Sequence, residues 1–80
     1  MMSATEKWKE DLYNEVFRSR LEYLRKRREN DSSFDMEVMD EILDAEYKKQ
    51  ELAWAGKSPI QEITEAATIA AYEHFKAEWD

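Results

Sequence analysis

Eighty residues with no cysteine, one glycine and one proline make a single small domain and exclude both a disulfide framework and a thiolate zinc site. Hydrophobic residues at 42% beside charged residues at 39% exclude a solvated tail on one side and a membrane span on the other. With 19 acidic and 12 basic side chains the formal net charge is −7, which argues against nucleic acid as the principal partner because phosphate contacts need an excess of cations.

The opening residues Met1 to Glu6 lack the basic and then apolar stretches of a secretory signal, and no apolar run approaches the ~20 residues that span a bilayer. A cytoplasmic address without membrane contact is the expectation. Two breaks divide the chain, the polar cluster Asn30-Asp31-Ser32-Ser33 and the stretch Gly56-Lys57-Ser58-Pro59, and the three pieces between them repeat their apolar positions at about 3.6 residues.

The first helix is predicted over residues 5–28, starting at Thr5 or at the capping-box spacing Ser3-x-x-Glu6. Trp8, Leu12, Tyr13, Val16, Phe17, Leu21, Tyr23 and Leu24 cover more than half its circumference, wider than one neighbour needs. The second is predicted over 34–55, with Asp31, Ser32 and Ser33 as alternative caps and Gly56 as the left-handed residue that ends it. Phe34, Val38, Met39, Ile42, Leu43, Tyr47, Ala53 and Trp54 form its apolar side. The third is predicted over 59–78, with Ser58 as cap, Pro59 at the first helical position and Gln61 completing a capping box. Its centre line reads Ile63, Ala66, Ala67, Ala70 and His74, with Tyr72, Phe75 and Trp79 to one side. The expected class is all-α, a three-helix up-down-up bundle that assembles as a homodimer. A long two-helix hairpin dimer with the third helix docked across it is the competing arrangement.

Charge is segregated along the chain: residues 1–30 carry +2 and residues 31–80 carry −9. Arg18, Arg20, Arg25, Lys26, Arg27 and Arg28 crowd the end of the first helix, and Asp35, Glu37, Asp40, Glu41, Asp44 and Glu46 crowd the start of the second. An antiparallel hairpin turning at 30–33 would set Arg25 level with Glu37 and Arg18 level with Asp44, and both blocks suit the helix dipole. Arg20 and Glu46 project into the apolar arcs of adjacent helices, so a buried pair at that seam is expected.

Chemistry is sparse. Asp31, Ser33 and Asp35 have the spacing of the first calcium ligands of an EF-hand, but Met36 replaces the turn glycine and Ile42 the bidentate glutamate. His74 is the sole histidine and is expected as a buried imidazole in the alanine-rich strip, hydrogen-bonded to a neighbouring helix or lining a pocket. Glu41-x-x-Asp44 and Glu62-x-x-Glu65 offer acidic pairs of the kind that hold Mg²⁺ in all-α MazG-type nucleotide hydrolases, in reversed order and on polar faces. No cofactor and no enzymatic activity are expected.

Ten aromatics on three broad apolar arcs exceed what so small a core hides. The expected function is an interaction or regulatory module, self-associating or binding another helical protein through Trp8, Trp54, Tyr72, Phe75 and Trp79. Two alternatives remain open: an acidic decoy that blocks a basic nucleic-acid-binding site, and a small Mg²⁺-dependent nucleotide hydrolase.

Overall fold

Three helices build the chain in a computed structural model that describes residues 6–52, 56 and 58–79. They are α1 (Lys7–Asn30), α2 (Met36–Leu52) and α3 (Pro59–Trp79), each written in residues that favour helix and free of interior glycine or proline. The ring contact Phe17–His74 and the ion pair Arg25–Glu78 advance together along α1 and α3, so those helices run in the same sense. Asp40–Lys76 and Tyr47–Glu73 advance oppositely, so α2 runs against α3. The bundle is therefore up-down-up.

Local chemistry sets the helix ends. At α3 the capping box forms as its spacing predicts: the Gln61 amide donates to Ser58 Oγ at 3.2 Å and the Ser58 amide to Gln61 Oε1 at 3.1 Å. Gly56 has the left-handed φ of +79° expected of it; residues 53–55, between it and the end of α2 at Leu52, lie outside the described residues. The cap of α2 is displaced from the expected Asp31, Ser32 or Ser33 to Asp35, whose Oδ1 accepts from the Val38 amide at 3.0 Å. Asp31 closes α1 instead, its own amide donating to the Arg27 carbonyl at 2.8 Å. Its Oδ1 also accepts from the Ser33 amide at 3.0 Å and hydroxyl at 2.6 Å. That side-chain turn uses the residues that were to cap α2, and it points Phe34 inward as a buried residue ahead of the helix. The caps expected for α1, Ser3 and Thr5, lie outside the described residues.

The core is centred on α3. Leu21 and Leu24 from α1, Phe34 from the connection, Met39 and Leu43 from α2, and Ile69, Ala71, Tyr72 and Phe75 from α3 form one buried cluster. Ala67 and Ala71 are fully covered, and small side chains there let a neighbouring helix approach closely. Phe75 meets Trp79 edge-on at 5.2 Å and Phe34 at 6.1 Å between ring centroids. Buried Thr68 spends its hydroxyl on the Thr64 carbonyl at 2.7 Å, so its polarity costs little inside the core.

The charge blocks do not meet as expected. No Cα of α1 comes within 8 Å of a Cα of α2 among the described residues, and both helices pack on α3. Arg25 therefore does not pair with Glu37; its Nε (3.1 Å) and Nη2 donate to the two carboxylate oxygens of Glu78. Arg18 does not reach Asp44, which pairs with Lys48 at 3.2 Å, while Asp40 takes Lys76 at 2.6 Å. Exposed ion pairs contribute ~0.2–1 kcal/mol each, whereas one buried aromatic or leucine contributes ~1.5–3 kcal/mol. The aromatic cluster accordingly sets the helix order and the charges accommodate to it. Two more basic residues lie over rings: the Arg27 guanidinium, also 3.8 Å from Asp31 Oδ2, is 4.6 Å from the Phe34 centroid, and that of Arg28 is 4.4 Å from Trp79.

Candidate interaction surface

The expected surface residues separate into two groups. Tyr72 and Phe75 are buried, at 8% and 1% exposure, which corrects their placement on an interaction face: the buried side of α3 is Ala67, Thr68, Ile69, Ala71, Tyr72 and Phe75, rotated from the alanine line toward the aromatics. Larger side chains gain more by burial, so they take the core, and Ala66 is exposed. Trp79 is half-buried beneath Arg28 and against Phe34 and Phe75. Trp8 is exposed at 43%. Trp54 lies outside the described residues.

The expected buried polar residues are corrected for the same reason. His74 turns outward on the rotated α3, its ring edge-on to Phe17 at 5.6 Å and its Nε2 3.2 Å from Glu78 Oε1. Arg20 is exposed and Glu46 half-buried, and no ion pair joins them. Both act on Tyr72 instead: burial pushes that phenol above its ordinary range, Glu46 adds to the shift and Arg20 opposes it. Tyr47 ties α2 to α3, donating to Glu73 Oε1 at 2.6 Å, and that carboxylate raises the phenol.

The acidic side of α2 lines an open groove of about 530 Å³ that includes Asp40, Glu41, Asp44 and Tyr47. Lys76 also lines it and pairs with Asp40, and Lys48, outside the lining, pairs with Asp44. Among the described residues no three carboxylate or imidazole groups converge to hold a metal ion. No helix among them is long and apolar enough to cross a membrane.

α1 carries a second apolar line beside the one that it packs on the core. Its core-facing line is Phe17, Leu21, Leu24 and Arg28, at intervals of four, three and four residues. The same intervals recur five residues earlier in Leu12, Val16, Ser19 and Tyr23, about 140° away round the helix at 100° per residue. Of the whole helix only Leu21 and Leu24 are buried. Tyr23 is 56% exposed. Leu12 and Val16 are partly covered yet stand outside the set of residues packed on the core. Leu12, Glu15, Val16, Ser19 and Arg20, all of α1, line a groove of about 340 Å³. With Trp8 one turn before Leu12, the second line is an unpacked apolar stripe along the outer side of α1. Tyr23 was legible as apolar from its period; its exposure was not, because a broad arc does not say which part of it the neighbour covers. No family model, curated protein or solved structure matches this chain.

Proposed function

We propose that this protein is a small interaction module that self-associates through the outer stripe of α1. The observation that carries the reading is that stripe itself at helical spacing, with Trp8 and Tyr23 exposed and Leu12 and Val16 outside the set packed on the core.

An acidic decoy draws less support, since lysines occupy two of the carboxylates on the acidic face of α2. Sedimentation equilibrium from about 1 to about 200 µM tests the proposal. The wild-type mass doubles across that range, whereas Leu12→Glu, which sets a charge in the stripe away from the core, remains monomeric with unchanged helical circular dichroism. A wild-type chain that stays monomeric throughout refutes it.

A further inference from the structure

The stripe carries charge along both edges, and the two edges differ in sign. Set on a seven-residue repeat, Val16 and Tyr23 share one seam position, and Leu12 and Ser19 share the other. Glu15 and Glu22 then fall on one flank of the seam and Arg20 and Arg27 on the opposite flank. Glu15, Glu22 and Arg20 are exposed; within the chain Glu22 also acts on the Arg25 guanidinium and Arg20 on the Tyr72 phenol. Arg27 also faces Phe34 and lies 3.8 Å from Asp31 Oδ2.

Sign-segregated flanks select the orientation of a self-pair. When two copies of a helix lie side by side about an axis parallel to both, the acidic flank of each meets the basic flank of the other. When they lie antiparallel, like flanks meet and carboxylates face carboxylates. From this, and resting on the self-association proposed above, we infer that the occupant of the α1 stripe is α1 of a second copy, packed parallel and in register. Glu15 then pairs with Arg20 of the partner subunit, and Glu22 with Arg27 of the partner subunit. The offset in each pair is five residues, about 7.5 Å along the axis, which the long arginine side chain spans. Leu12, Val16 and Ser19 meet their own counterparts across the two-fold axis, and the small Ser19 lets the helices close there. Phe17, Leu21 and Leu24 stay turned to α3, so the bundle keeps its core while α1 serves both.

The chain has no cysteine, so single cysteines report orientation without background. Ser19→Cys and Leu12→Cys each form a disulfide-linked dimer under mild oxidation when the helices are parallel and in register. An antiparallel pair brings at most one of these positions to its own copy. In the intact chain, Arg20→Glu and Glu15→Arg each raise the dimer dissociation constant about tenfold or more, and an equimolar mixture of the two variants recovers wild-type affinity to within a few-fold. Cross-linking at one position or neither, in a chain that still dimerises and is still dissociated by Leu12→Glu, overturns the parallel order and leaves self-association standing. Charge variants that dimerise like the wild type overturn the pairing. A monomeric wild type removes both proposals.

Discussion

Phe75→Ala tests where the aromatic cluster belongs. The ring is 1% exposed and lies between Phe34 and Trp79, so truncation leaves a hole bounded by rings that cannot all collapse into it. A phenyl group of this kind hides at least ~150 Å² of apolar surface, or about 4 kcal/mol at ~25 cal/mol per Å². Cavity-forming Phe→Ala changes cost ~3–5 kcal/mol. A domain of this length has only about 4–12 kcal/mol in total, so the variant should be at the edge of folding, with its melting temperature lowered by about 15–30 °C. Urea unfolding followed by far-ultraviolet circular dichroism, at one protomer concentration for every variant, reads the change. Phe75→Leu keeps much of the volume and should lose about 1–1.5 kcal/mol. Trp8→Ala, at an exposed position, should shift a monomeric sample by no more than ~0.5 kcal/mol. A loss below about 1 kcal/mol for Phe75→Ala would place the ring on the surface and refute the core described above.

Three further outcomes follow from local geometry. Ser58→Ala removes the acceptor for the Gln61 amide and should cost about 1 kcal/mol, while Ser58→Gly should cost only a few tenths, both read from urea midpoints. Gly56→Ala should lose about 1 kcal/mol from backbone conformation alone, since a Cβ there meets nothing within 4 Å; an unchanged midpoint would contradict the positive φ. Glu78 is held below the ordinary glutamate range, first by its hydrogen bonds from Arg25 and to a lesser degree by His74. Because its folded-state value is depressed, its contribution is complete above the unfolded value near ~4.3 and is lost as pH falls through the folded one. The difference in urea midpoint between the wild type and Glu78→Gln should therefore shrink steadily as pH falls below about 4.5; a difference independent of pH over that range would refute the pairing.

The sequence by itself determines three helices and most of their ends. Propensity and apolar period select helix in each segment, and the Ser58–Gln61 box and Gly56 act through backbone groups only a few residues away. The cap of α2 escapes that reading because Asp31, Ser32, Ser33 and Asp35 are all competent N-caps. The choice among them depends on where Phe34 must go.

Tertiary structure decides which part of each broad apolar arc is covered. An arc wider than half a circumference is compatible with many rotations of its helix, so period alone could not tell that Tyr72 and Phe75 go inward while His74, Arg20 and Tyr23 stay out. Likewise the segregated charges favour an α1–α2 hairpin when read along the chain. The ring cluster of Phe34, Phe75 and Trp79, assembled only when both helices lie against α3, outweighs them. That same choice turns one side of α1 to α3 and leaves Leu12 and Val16 outside the packed core and Tyr23 exposed.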